Sequence, residues 1–408
     1  MQFNRQPVVA PETNSRYRQP QDRDIEELRN RGRRQFLVSA SALTGGTALL
    51  LGGATWVSQQ SFKGLFGSSP TTCTNTTTAK LSPSNPAKLT VCQGSNSIAF
   101  FPVYVAQQLG YFKAQGLNIA SPAIVNTGAN VVAAVQANKY QIGNGLITDA
   151  FSWSRSDSAA RVIGAFVNAY TVDIVVSNQF EATMGVTASS SLADKVKSLK
   201  GKTIGITGPG SATQGLLTYL FRQQGMNAAT DTKQVSLGSS NAKALAALKN
   251  GTVDALSFLP PIGQLVETQG VGDILISPMR GDIPGLVGEV HAVMYTKQST
   301  IDANPLAIAA YIRAAGQAEA FIQSNPAEAK QFLNKYLNLG QAVTDAMYAA
   351  AAPDIAKTPQ ITQASYNIAG QFHVQAGLVN LIPSYNLLVA TSTINSALGI
   401  GQAGCQPS

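Results

Sequence analysis

The stretch GKTIGITGPGSATQGLLTYLFRQQG, residues 201–225, holds the residue types and spacing that most suggest a site of chemistry. An apolar strand over 203–207 enters a glycine-rich turn, and the turn opens a helix with Leu216, Leu217, Leu220 and Phe221 on one face. Such turns cradle phosphates because the first N–H groups of a helix lack partners and its dipole favours negative charge there. The dinucleotide fingerprint is nevertheless incomplete. Gly208 and Gly210 supply its first two glycines, but the third position is Thr213 and no acid follows at ribose-binding distance; the next strand is 233–237. There is no G-x-x-x-x-G-K-[ST], and Ser211 lacks the flanking glycines of a nucleophile elbow. What survives is a helix start with Ser211 as N-cap, whose free N–H groups suit an anion or a carbonyl. A plain capped turn is the alternative.

Other raw material is scarce. The three cysteines, Cys73, Cys92 and Cys405, form no C-x-x-C pair and no zinc pattern. The only histidines, His291 and His373, are far apart in apolar surroundings and read as structural. No metal and no cofactor is predicted. The net charge of +8 is partly terminal: 9 Lys/Arg stand against 5 Asp/Glu before Thr71, and 20 against 16 from there on. With no basic run in the body, nucleic-acid binding is a poor reading. Hydrophobic content of 44% with 12% charged residues describes a globular chain, and 408 residues exceed one ordinary core, which predicts two lobes.

The N-terminal region carries an address. Arg33-Arg34-Gln35-Phe36-Leu37 precedes a moderately apolar stretch, 36–57, and resembles a twin-arginine export signal behind a polar n-region. The stretch is also long enough for a membrane anchor. No A-x-A site follows and Cys73 sits in a poor lipobox, PTTC, so cleavage stays open. The predicted division is 1–34 as n-region, 35–58 as signal or anchor, and 59–87 as a Ser/Thr/Pro-rich linker.

From Lys88 strand and helix alternate twice, and after Ile301 the chain turns helical. This predicts an α/β protein of two doubly wound lobes with a helical C-terminal part. The segments VVAAVQANKYQIGNGLITD and AKALAALKNGTVDALSFLPP echo each other, each giving a helix, an Asn-containing turn and a strand ending in a loop. Loops at the carboxyl ends of strands are where open α/β sheets bind ligands, so facing lobes predict a cleft. Expected boundaries are 88–176 and 291–408 for the first lobe with its tail and 177–290 for the second, with 170–178 and 290–296 as crossing strands.

AFFPVYVAQQLGYFKAQGLNI, TGANVVAAVQANKYQIGNG, LKGKTIGITGPGSATQGLLTYLFRQQGM and ALKNGTVDALSFLPP occur in this order over 88–332. Together they resemble the substrate-binding proteins of ABC importers, type II periplasmic binding proteins, in the group for aliphatic sulfonates, taurine, nitrate and thiamine-precursor pyrimidines. The resemblance implies a monomer that carries a small solute to a membrane permease, without catalysis. It implies a first-lobe wall from Ser95, Asn96, Phe100, Phe101, Gly128, Asn130, Thr148 and Asp149. The second wall would hold Gly210, Ser211, Thr213, Phe258 and Pro260. One departure is that Ser257-Phe258-Leu259-Pro260-Pro261 lacks the acid of the family's usual phrase, and the Cys-rich signature of the enzymatic pyrimidine-synthesis branch is absent. An enzyme on the same fold and a sensory receptor are the alternatives. Arg155 and Arg280 are candidate counter-charges for an anion; Trp153, with Phe100, Phe101 and Phe258, is a candidate for stacking on a flat ring. A Cys73–Cys405 disulfide is also expected, since both lie in polar terminal segments of an exported chain.

Replacing Arg33 and Arg34 together by Lys is expected to leave precursor in the cytoplasm, read by cell fractionation. Unchanged export would remove the twin-arginine assignment.

Overall fold

A computed structural model describes residues 80–400. The export signal, the 36–57 segment, most of the linker, and Cys73 and Cys405 lie outside the described residues. None of the described helices is long and apolar enough to cross a membrane.

Twelve strands appear among the described residues. In the N-terminal half they are β1 (Ala87–Lys88), β2 (Val91–Gln93), β3 (Leu117–Asn118), β4 (Ala123–Ile124), β5 (Ile142–Leu146) and β6 (Ala160–Val167). β7 (Asp173–Ser177), β8 (Thr203–Ile206), β9 (Lys233–Ser236), β10 (Ala255–Phe258), β11 (Gly272–Ile276) and β12 (Ala292–Lys297) follow. Two five-stranded sheets form, ordered β4-β2-β5-β12-β6 and β11-β7-β10-β8-β9; β1 pairs only with β3. Each sheet has the same plan: a first strand, β2 or β8, flanked by the second and third, then one reversed strand, then the fourth. The reversed strands are β12, antiparallel to β5 and β6, and β7, antiparallel to β10 and β11.

These sheets are therefore mixed, not uniformly parallel, and the reason is the crossing. β6 ends at Val167 and residues 168–172 lead straight into β7 of the other sheet. So short a link cannot travel back along a sheet to restart in parallel, so β7 must run opposite. β12 enters the first sheet the same way after the short 3-10 turns Pro278–Arg280 and Pro284–Leu286.

Side-chain size sets the local packing. Gly143 and Gly145 of β5 face β12, paired with Tyr295 and Val293, and a β-carbon at either glycine would meet the Tyr295 ring. The glycines thus let a full tyrosine lie across the sheet. The helix Ala212–Gln223 starts as the sequence predicts: Ser211 Oγ accepts the Gln214 N–H, and Leu216, Leu217, Leu220 and Phe221 are buried. The long helix Pro305–Ser324 packs against the first sheet's core.

The helical tail is not confined to the first lobe. In the helix Gln363–Gln375, Tyr366 and Ala369 join a first-lobe core cluster, whereas Phe372, with Ala376 beyond it, joins the second-lobe core. Phe372 packs edge-on against Tyr170 and Tyr219, with ring centroids 4.5 and 5.0 Å away. Arg222 Nη1 donates to the Gln375 carbonyl at 2.6 Å. One helix thus backs both lobes behind the crossings.

Phe372→Ala is expected to destabilise the folded chain by about 3–5 kcal/mol through the cavity left between the lobes. Chemical denaturation checks this; a change under about 1 kcal/mol would show that the tail does not support the second lobe.

Candidate functional site

The carboxyl ends of the strands meet at a cavity of about 450 Å³. Its first-lobe wall is the loop Gly94–Phe100 after β2, the turn 126–128 after β4, and Gly145, Leu146 and Asp149 at the end of β5. Ser239 and Asn241 follow β9, and Phe258 at the end of β10 with Leu259, Pro260 and Pro261 after it completes the second wall. Thr171, on the crossing, closes the back, and Leu337 and Leu339 arrive from the helical tail.

Each wall has an identifiable support. Gln93, buried at the end of β2, donates through Nε2 to the Ser95 carbonyl at 2.9 Å, to Asn96 Oδ1 at 3.2 Å and to the Tyr336 hydroxyl at 3.1 Å. It thereby pins the first loop to the tail helix Pro326–Leu337. Thr127 caps the helix Gly128–Gln136 by accepting the Asn130 N–H. Asp149, in the first turn of the helix Ile147–Ser156, accepts the Leu146 N–H at 2.9 Å. Its carboxyl packs against the first residue of the neighbouring helix so closely that any β-carbon on Gly128 would overlap it. Burial raises the Asp149 carboxyl to about 6, the Leu146 N–H opposing.

Seven of the expected site residues line the cavity: Ser95, Asn96, Phe100, Gly128, Asp149, Phe258 and Pro260. Six do not, and each has a structural engagement instead. Phe101 is fully buried and stacks on Tyr336, 6.1 Å between centroids. The Asn130 side chain donates back to the Val125 carbonyl. Gly210 has φ +73°, a conformation that requires glycine, and its N–H donates to Gln214 Oε1 at 2.8 Å. Ser211 Oγ donates to the Gly208 carbonyl. Buried Thr213 accepts the Thr207 N–H at 3.0 Å. The turn that looks like a phosphate cradle thus spends Gly210 N–H and both hydroxyls on itself. It works one step behind the wall: the Ala212 carbonyl accepts from Tyr170 and the Thr213 carbonyl from Ser257, neighbours of the lining residues Thr171 and Phe258.

Thr148 belongs to a buried polar cluster behind the cavity. Glu289 Oε1 lies 3.7 Å from His291 Nδ1 and 4.0 Å from His373 Nδ1, all three buried. His373 Nδ1 donates to the Ala369 carbonyl, so its neutral ring accepts the Thr148 hydroxyl at Nε2, 2.6 Å away. His291 Nε2 shares a hydrogen bond with Thr171 Oγ1 at 3.2 Å. Burial raises Glu289 to about 8, lowers His291 to about 3 and also lowers His373, so burial favours the uncharged form of each member. None of the three lines the cavity.

The other candidates also lie elsewhere. Trp153 is buried and donates to Asp157 Oδ2 at 3.1 Å. Arg155 is exposed, and Arg280 pairs with Glu267 at 2.7 Å. Cys92 is buried with a free thiol pushed up to about 12. Among the described residues no cluster of His, Cys, Asp or Glu is arranged to hold a metal.

Sequence reasoning missed Thr171, Ser239, Asn241, Leu337 and Leu339. The last two carry no local signal, because only the packing of the tail brings them to the cleft.

The model of the NMT1-like family matches residues 83–338, and the chain belongs to that family. Among solved structures the chain is similar to the ligand-binding component of an ABC-type import system from Staphylococcus aureus with zinc bound. The TM-score there is 0.59 at 15% identity, over 76% of this chain and 98% of that one. It is similar to the alkanesulfonate-binding protein SsuA from Xanthomonas axonopodis pv. citri bound to MOPS, with TM-score 0.57 at 18% identity, over 75% and 99%. The periplasmic nitrate-binding protein NrtA from Synechocystis PCC 6803 gives 0.55 at 13%, over 77% and 89%. These likenesses establish the periplasmic-binding-protein fold. No curated relative matches in sequence.

The buried cluster makes a signed pH prediction. A carboxyl held near 8 in the fold against an ordinary 4.5 contributes stability below 4.5 that is lost as pH rises through 8. Glu289→Gln removes that loss, so the melting temperature of the natural protein relative to the variant is expected to fall steadily from pH 5 to pH 8. A difference independent of pH would refute the raised carboxyl.

Proposed function

We propose that the chain is an extracytoplasmic solute-binding protein that captures a small sulfonate-, nitrate- or pyrimidine-like solute between its lobes and delivers it to an ABC importer's permease. The observation that carries this reading is the cavity itself, walled by strand-end loops of both sheets and backed by the crossing at Thr171. A solute touching Ser95, Asn96, Phe100, Gly128 and Asp149 on one wall and Phe258 and Pro260 on the other favours the arrangement in which the walls are close. Binding therefore stabilises closure by its differential affinity, and closure is the signal a permease reads. Membership in the NMT1-like family and the importer components among the structural neighbours support the same role. The arginine pair ahead of residues 36–57 supports export, and that segment makes the membrane contact if it is left uncleaved.

Catalysis on the same fold is the weaker reading. Asp149 is the only side chain lining the cavity, among the described residues, that titrates below pH 10, and Glu289, His291 and His373 are buried behind the wall.

A thermal-shift screen of sulfonates, nitrate, bicarbonate and pyrimidines tests the role. A true solute at a hundredfold its Kd adds about 2.7 kcal/mol, and Phe258→Ala should reduce that gain. If no solute raises the melting temperature, the binding role fails.

A further inference from the structure

We propose that the solute offers a positively charged nitrogen, a protonated amine or amidine, to Asp149, and that the cavity disfavours free anions. This rests on the solute-binding reading above and sets aside its sulfonate- and nitrate-like solutes.

The place where this architecture would take an anion is already filled. Helix starts at the carboxyl edge of a sheet attract negative charge through unpaired N–H groups and the helix dipole. Two such starts form the first wall. At one, the Leu146 N–H donates to Asp149 Oδ2 at 2.9 Å. At the other, Gly128 lies so close under the Asp149 carboxyl that a β-carbon there would overlap Oδ1, Cγ and Oδ2. The protein's own carboxylate therefore holds a backbone N–H at one helix start and packs against the first residue of the other, and Gly128 is a glycine because of that close approach.

Nothing in the wall reverses this charge. Among the described residues the cavity lining contains no Lys, Arg or His, and Asp149 is its one charged side chain. The two arginines that could have served a sulfonate or nitrate are elsewhere, Arg155 exposed and Arg280 paired with Glu267. Asp149 has no ion-pair partner among the described residues and remains partly accessible at the cavity wall. Its carboxyl, raised only to about 6, is ionised at neutral pH. An entering anion meets like charge in a desolvated wall, whereas an entering cation supplies the partner a half-buried carboxylate lacks. Phe100, Phe258 and Leu337 offer apolar surface for the carbon body, and Asn96, Ser239 and Asn241 offer uncharged hydrogen bonds.

Two probes with the same ring and methylene but opposite charge, benzylammonium and phenylmethanesulfonate, test this by titration calorimetry on the full-length protein at pH 7.5. Benzylammonium is expected to bind at least tenfold more tightly. Asp149→Asn keeps an oxygen acceptor for the Leu146 N–H, and it should cost the amine at least tenfold, about 1.4 kcal/mol, with little change in the melting temperature of the free protein. Equal or tighter binding of the sulfonate overturns the proposal and leaves the solute-binding role standing. Unchanged amine affinity in Asp149→Asn overturns it too. If neither probe binds the natural protein the proposal also falls, and the wider solute screen decides separately whether the cavity binds any solute. Should Asp149→Asn fail to fold, the comparison of the two probes on the natural protein decides alone.

Discussion

The rest of this structure depends on the chain passing from one sheet to the other at their carboxyl ends and returning by the same route. Because residues 168–172 are so few, β7 has to run against its neighbours, and β12 does the same on the way back. The consequence reaches beyond topology. Both crossings are hemmed in by core, so their polar groups must find partners inside the protein. Thr171, Glu289 and His291 lie on them, and Thr148 and His373 are drawn in to complete the set. Glu289 keeps both oxygens without hydrogen-bond partners. A charged carboxylate there would be costly, and burial resolves this by keeping the proton on.

The same crossing ties the cavity to the tail. Tyr170 reaches the Ala212 carbonyl on one side and packs on Phe372 on another, so the second-lobe helix start, the crossing and the C-terminal helix form one contiguous block. The glycine-rich turn at 208–213 belongs to that block. Its geometry is that of an anion cradle, but its hydrogen bonds are closed locally, and it braces Phe258 through Ser257. The first-lobe wall is organised oppositely. There the helix starts face the cavity, and a carboxylate from the same chain bonds a backbone N–H at one of them and packs against Gly128 at the other. Local sequence grammar and actual exposure have traded places between the two lobes.

The periodicities, the caps and the order of phrases along the chain were legible without coordinates. Alternating strand and helix, Ser211 as N-cap, and the loops after β2, β5 and β10 as cavity walls all follow from short-range rules, because hydrogen bonds within a turn and the facing of side chains are local properties. Residues such as Asn96, Gly128 and Asp149 were placed on the cavity side by the resemblance to solute-binding proteins, not by these local rules. What could not be read was which hydroxyls and N–H groups would already be spent, since Thr213, Thr148 and Asn130 are satisfied by partners that only the folded loop or a distant helix brings.

By itself the sequence determined that the protein is a two-lobed α/β chain with a cleft at its strand ends, since amphipathic period and turn chemistry act over a few residues. The tertiary structure alone decided the sign of the cavity. A carboxylate and a helix start separated by about twenty residues, Asp149 and Gly128, meet only once β4 and β5 lie on either side of β2. Two histidines and a glutamate separated by up to 84 residues become one buried cluster only once the helix Gln363–Gln375 packs behind the crossing that leads into β12. Charge is a property of the residue, but its effective sign at a point in space is a sum over neighbours, and neighbours are what folding chooses.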